Sequence, residues 1–242
     1  GTLVPANMET PVRRALENVA GKHGDLDAFV ARELGYDSVE SMHGAFAAEQ
    51  VDALSLALDN IGDGKGFILG DQTGIGKGRV CAGIIRWAKQ NGKTPVFVTM
   101  LPDLYADMMR DLNDIGTTDF TPFITNRNMT GKNALVAPDG SKLAAPSGRK
   151  YDTVVEDILS GKKLPEGYDA IFTTYKQLQS QKGKTNARQD ILNALSDNAI
   201  LILDEAHNAG GAESSIGQFI RSYTANMKNG VLYSSATFAK RP

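Results

Sequence analysis

Residues 70–79 read Gly70-Asp71-Gln72-Thr73-Gly74-Ile75-Gly76-Lys77-Gly78-Arg79, a glycine-rich run set between a short apolar stretch and a helical pattern. Few folds are open to a chain with this run. Glycines let consecutive backbone N–H groups turn inward on an anion, and the N-terminus of the following helix adds partial positive charge. Such a loop needs a strand to deliver it and a helix to receive it, which is the building unit of a parallel sheet covered by helices. Thr73, Gly74, Ile75, Gly76, Lys77, Gly78 and Arg79 are therefore candidate nucleotide-binding residues, with Lys77 reaching the β- and γ-phosphates. The run departs from the usual pattern twice. Gly78 stands where a Ser or Thr hydroxyl normally meets Mg²⁺, and Asp71 where a small residue is usual. Metal coordination then has to rely on water, Thr73 or acidic residues elsewhere.

The rest of the chain agrees with such a sheet. Apolar strands are expected at 67–69, 95–99, 170–173, 199–203 and 231–234, alternating with helices over 76–90, 104–112, 188–195 and 215–227. Ahead of them lie three expected helices. The first begins near Pro11 and carries Val12, Ala15, Leu16 and Val19 at helical spacing. The second covers 25–34 and stops at Gly35; the third covers 47–60, with Val51, Leu54, Leu58 and Ile61 on one face. Residues 116–168 break the alternation and are expected to be an insertion, with a small hairpin around Pro138-Asp139-Gly140. Lys132, Lys142, Arg149, Lys150, Lys162 and Lys163 give it a basic tone, readable as a solvated surface or as a contact for nucleic acid or a partner.

A second constellation supplies the chemistry that the phosphate loop lacks. Leu201-Ile202-Leu203-Asp204-Glu205-Ala206-His207 is an apolar strand ending in two acids. A carboxylate at the tip of a strand beside the loop is placed to hold Mg²⁺, which makes Asp204 the candidate metal ligand. The adjacent Glu205 is placed to polarise an attacking water. Lys77, Asp204 and Glu205 are thus the candidate catalytic set. Ser235-Ala236-Thr237 ends another apolar strand and offers two hydroxyls to relay the nucleotide state.

Composition removes other classes. A single cysteine, Cys81, excludes an internal disulfide and any multi-cysteine zinc site; it is expected to be a small buried hydrophobe. The three histidines, His23, His43 and His207, have no metal-ligand spacing. No apolar run approaches the roughly 18–20 residues a membrane span requires. The net charge of −2 supplies no global field for a nucleic acid, although a local basic groove stays open.

The order Gln50, Lys77, Asp204-Glu205-Ala206-His207, Ser235-Ala236-Thr237 resembles the ordered motifs of superfamily 2 helicases of the DExH (DEAH-box) type. That resemblance implies that Gln50 contacts adenine with Phe46 stacking nearby, and that His207, Ser235 and Thr237 couple ATP to movement. It also implies that the strand ends at 99–104 and 173–178 line a nucleic-acid track. Gln50 is equally readable as an ordinary residue of an amphipathic helix. The run at 70–79, with Gly after the lysine, and Ser-Ala-Thr-Phe-Ala-Lys-Arg-Pro at 235–242 are similar to the strawberry notch family of helicase-like ATPases. Leu3-Val4-Pro5-Ala6-Asn7-Met8 and the stretch 24–30 resemble the helicase region of phage and plasmid antirestriction proteins of the DarB type.

The expected architecture is an α/β three-layer sandwich, a RecA-like P-loop NTPase lobe over 46–242 preceded by a helical segment over 1–45. The chain is expected to be a fragment whose second RecA-like lobe lies beyond it, in a cytoplasmic or nuclear protein. The expected cofactors are ATP and Mg²⁺, and the expected partner is nucleic acid, DNA before RNA. A nucleotide-dependent switch or scaffold that binds a protein without translocating is the alternative.

Overall fold

The computed structural model describes residues 9–70, 75–127, 129–143, 145–146, 148–181, 184–209 and 214–235. Of the expected site residues, Thr73, Gly74 and Thr237 lie outside them, as do Asp71 and the stretch 3–8. Helix α1 (Glu9–His23) carries Pro11 in its first turn, where no intrahelical N–H bond is lost. Helix α2 (Leu26–Glu33) is capped by Asp25, whose side chain accepts from Ala28 N at 2.9 Å. Helices α3 (Val39–Ala45) and α4 (Ala48–Gly62) complete the N-terminal set. Val19, Phe29, Val30, Leu34 and Met42 enter the same core as the sheet.

Alternation begins with β1 (Gly66–Leu69), then α5 (Lys77–Gln90), β2 (Thr94–Thr99), α6 (Asp103–Asp114) and β3 (Pro122–Ile124). A hairpin of β4 (Leu135–Val136) and β5 (Lys142–Leu143) leads to α7 (Gly148–Gly161). Next come β6 (Ala170–Thr174), the single turn α8 (Tyr175–Leu178), α9 (Ala187–Leu195), β7 (Ala199–Leu203), α10 (Ser215–Ala225) and β8 (Val231–Ser234). Among the described residues six strands form one sheet in the order β1-β8-β7-β2-β6-β3, and every pairing in it is parallel. The fold is the α/β, RecA-like P-loop architecture expected.

The strand order reverses after β3, and right-handed crossovers then assign the layers. Helices α5 and α6 cover one face, joined by α4, while α7, α9 and α10 cover the other. Each residue of β2, β6 and β7 is buried, which explains why those strands carry no charged residue and read as mainly apolar stretches. The hairpin forms where Pro138-Asp139-Gly140 places it, with Gly140 N donating to Ala137 O at 2.9 Å. Elsewhere in 116–168 the chain is bound into the fold: Pro122–Ile124 supplies the edge strand beside β6, and α7 packs on α9.

The N-terminal helices brace the helix that follows the phosphate loop. Arg86 Nε of α5 donates to Leu34 O at 2.7 Å, with its guanidinium 4.0 Å from the Tyr36 ring centre. Trp87 Nε1 donates to Glu33 Oε2 at 3.1 Å. These contacts fix the axis of α5, and so the direction in which its first turn points.

Candidate nucleotide site

Gly76 opens α5 from a left-handed conformation (φ 69°), one that L side chains rarely adopt. Gln50, on the first turn of α4, holds this bend. Its Nε2 donates to Ile75 O at 2.8 Å and to Gly76 O at 3.4 Å, while its Oε1 accepts from Ala47 N at 2.9 Å. A Cβ on Gly76 would lie 2.6 Å from that Nε2, so glycine is needed for space as well as for φ. Gln50 is thus brought to the end of the loop, with its amide engaged by backbone. Phe46 is buried in the core, edge-on to Tyr36 and close to Gly83 of α5. Arg79 Nη1 donates to Ala45 O at 3.1 Å, and its Nη2 lies 3.5 Å from Asp114 Oδ2, which ties α5 to α3 and α6.

The acids arrive from β7. Asp204 N donates to Val98 O at 2.9 Å, continuing the ladder with β2 one step past the strand. Two neighbouring strand ends then grip the same residue. Thr99 Oγ1, at the tip of β2, donates to Asp204 Oδ2 at 2.8 Å. Tyr175 OH, just after β6, donates to Asp204 O at 2.7 Å. At Glu205 the backbone turns left-handed (φ 48°), strain for a non-glycine residue. The Glu205 carboxylate Oε2 lies 3.6 Å from His207 Nδ1. Ser235 continues the β8 edge, its N donating to Leu69 O at 3.1 Å. Sequence reasoning pointed to Asp204 and Glu205 as candidates but not to the hydrogen bonds of Thr99 and Tyr175 to Asp204, which depend on which strand ends come together.

Gln50, Gly76, Gly78, Arg79, Asp204 and Glu205 line one cavity of about 540 Å³, closed on its other side by α6. Burial pushes the Asp204 carboxyl above the usual carboxylate range, and Glu205 adds to the shift. The Thr99 hydrogen bond and the Lys77 charge pull the other way without cancelling it. Among the described residues no three His, Cys, Asp or Glu side chains gather into a metal site of their own. The oxygen donors present suit a hard cation such as Mg²⁺, which is usually held by one or two carboxylates together with phosphates and water. Cys81 is buried in α5 with its thiol pushed up to about 12, mainly by burial, and is chemically inert there. Among the described residues no helix is long and apolar enough to cross a membrane.

A raised acid pKa means that the charged form is disfavoured by folding. The stability contributed by protonated Asp204 is therefore present at low pH and lost as pH rises through its folded pKa. Asp204→Asn keeps an acceptor for Thr99 and removes the buried charge. At neutral pH the variant is expected to gain about 1 kcal/mol, or roughly 2–4 °C in Tm, and to lose that advantage on acidification. Thermal melts at neutral and acidic pH check this; a lower Tm at neutral pH would overturn it.

Residues 41–242 match the family described as P-loop containing NTP hydrolase pore-1. The chain is 28% identical over 236 residues to Protein strawberry notch of Drosophila melanogaster, covering 89% of this chain and 13% of that protein. It is 30% identical over 217 residues to Protein FORGETTER 1 of Arabidopsis thaliana, covering 82% and 15%. To human Protein strawberry notch homolog 2 it is 29% identical over 222 residues, covering 85% and 14%. The chain thus spans 13–15% of the length of these relatives. A solved nuclease-deletion mutant of the Type ISP restriction-modification enzyme LlaGI, in complex with a DNA substrate mimic, superposes with a TM-score of 0.49 at 19% identity, covering 81% of this chain and 19% of that one. The likeness to the strawberry notch family is borne out by these relatives. The chain belongs to the P-loop containing NTP hydrolase pore-1 family and is related to the strawberry notch proteins.

Proposed function

We propose that this domain is the ATP-binding motor lobe of a DExH-type superfamily 2 helicase or translocase. In this reading residues 46–242 form the lobe, 1–45 brace it, and a second RecA-like lobe in the parent protein completes the ATP site. Lys77 and the loop amides bind the phosphates, and Gln50 fixes the end of the loop. Asp204 holds Mg²⁺, which when bound neutralises charge developing on the β- and γ-phosphates. Glu205 orients water and takes its proton. His207, Ser235 and Thr237 pass the nucleotide state on. A second lobe would bring an arginine worth roughly 10³–10⁵ in rate, so the domain alone hydrolyses ATP little or not at all. The likeness to DarB-type proteins suggests phage or plasmid antirestriction as one setting, in the cytoplasm; a eukaryotic parent would act in the nucleus.

The observation that carries this reading is the double grip on Asp204. The strand ends that hold it run directly into a second, open groove of about 790 Å³. Met100 and Leu101 follow Thr99, and Thr174 and Lys176 flank Tyr175; Lys184 and Arg188 complete the cationic side. Met100 and Leu101 are exposed, offering apolar surface to bases or ribose beside cations suited to phosphate. Any shift of Asp204 on binding MgATP is thereby transmitted to both walls of the groove.

Binding of DNA and RNA across a salt series tests the proposal. Lys176→Ala with Lys184→Ala is expected to weaken DNA binding and to flatten the log–log salt slope by about one for each phosphate no longer neutralised. ATP hydrolysis by the two-lobe protein should rise with DNA and vanish in Lys77→Ala. Hydrolysis indifferent to either nucleic acid would favour the switch or scaffold reading.

A further inference from the structure

Gly78 sits in the first turn of α5, where a phosphate loop of this type usually carries a hydroxyl for the metal. The space that side chain would take is filled from elsewhere. A Cβ on Gly78 would lie 2.5 Å from Asp111 Oδ2 and 3.5 Å from its Cγ. Asp111 belongs to α6, which packs along α5, so its carboxylate enters the volume of the missing side chain from the opposite wall of the cavity. The other oxygen, Oδ1, lies 3.9 Å from Arg110 Nη2, and the side chain is only 18% exposed. Burial pushes the Asp111 carboxyl above the usual range. Arg110 and Arg79 oppose that shift, while Asp114 and Asp107 add to it. An anion kept partly out of water, beside a phosphate loop and in the same cavity as Asp204, is relieved by a cation.

We propose that Asp111 supplies, from α6, the oxygen that a loop hydroxyl would otherwise offer, positioning the divalent cation that accompanies the nucleotide, and that Gly78 is the residue that admits it. This rests on the nucleotide-binding reading above. With Asp204 it gives the cation one carboxylate from each side of the cavity, leaving phosphates and water to fill the remaining positions. The protein then contributes only part of the coordination shell. It also removes the difficulty posed by the sequence, in which the loop lacked its hydroxyl.

Two affinities of the whole chain decide the matter: ADP without metal, and Mn²⁺ for the ADP complex, followed through the electron paramagnetic resonance of free Mn²⁺. Asp111→Asn keeps the shape and removes the charge. It is expected to weaken Mn²⁺ binding roughly 10- to 100-fold. Metal-free ADP should bind more tightly, since an anion facing the phosphates is gone. A purely packing role for Asp111 would move both affinities the same way or neither, and either result overturns the proposal. Gly78→Ser alone forces Asp111 aside and should also lose Mn²⁺ affinity. Gly78→Ser with Asp111→Ala restores a hydroxyl in cleared space and should recover most of it; no recovery counts against the proposal. Circular dichroism melts identify variants that fail to fold, and the double variant then carries the decision. A wild-type chain that binds no ADP at all would overturn the nucleotide reading itself, an outcome distinct from a wild-type chain whose Mn²⁺ affinity ignores residue 111.

Discussion

Glu205→Gln is expected to slow ATP hydrolysis by about 10²–10⁴, the usual worth of a positioned general base, while leaving ATP affinity unchanged. Glutamine matches glutamate in size, and so tolerates the left-handed bend at φ 48° about as well. What it lacks is the capacity to take a proton from water. Glu205 lines the same cavity as Asp204. Asp204 is engaged by Thr99, whereas Glu205 reaches toward His207 and is 40% exposed, open to the water it would orient. Single-turnover hydrolysis by the two-lobe protein, beside equilibrium ATP binding, separates the two effects. A loss of less than about tenfold would place the general base elsewhere. Loss of binding and rate together would make Glu205 a ground-state ligand.

The second large effect is on folding. Phe172→Ala should destabilise the domain by about 3–5 kcal/mol, a sizeable part of what a domain of this size has in total. Phe172 lies in β6 with no exposed surface. Its ring meets Phe97 of β2 edge-on at 5.3 Å, Tyr105 of α6 at 5.6 Å and Phe120 at 6.3 Å. Removing it opens a cavity where two strands, a helix and a loop converge, and the pleat of a paired strand cannot collapse to fill it. A Tm lower by roughly ten degrees is the expected reading. A change of only a few degrees would show that the cluster repacks. Because β6 runs into Tyr175, and Tyr175 holds Asp204, a variant that still folds should also bind nucleotide less tightly.

How much of this was legible in the sequence depended on whether a residue's environment was local. Strands β2, β6 and β7 could be read within a residue because burial on both faces leaves no charged position in them and only buried threonines among the apolar ones. Pro122–Ile124 was missed: it has three residues, opens with proline and pairs on one side only, so its membership of the sheet is a property of β6. Val39–Ala45 was missed because it is short, ends in Gly-Ala and buries only Met42 and Ala45. Helix α7 did leave a signal. Tyr151, Val154 and Ile158 recur at helical spacing and are its buried residues, but the charged positions between them read as a surface excursion. The same divide runs through the site. Lys77, Asp204 and Glu205 stand on motifs written in consecutive residues. The engagement of Gln50 with Ile75 and Gly76, the Thr99 and Tyr175 bonds to Asp204, and the entry of Asp111 at Gly78 each need two distant elements to meet.

Strand β1, which presents the phosphate loop, has β8 as its neighbour in the sheet, and these are its first and last strands in chain order. During synthesis the loop therefore leaves the ribosome early, yet its strand has nothing to pair with until Val231 has followed. By then β7, β2, β6 and β3 have already been made and can assemble among themselves. A nascent chain stopped short of β8 would hold β1 only by its packing on α4, with α5 already seated on β2 and β7 and no neighbouring strand on β1. Such late closure, with its long-range pairing, makes the assembly of β1 the slow and exposed step of folding.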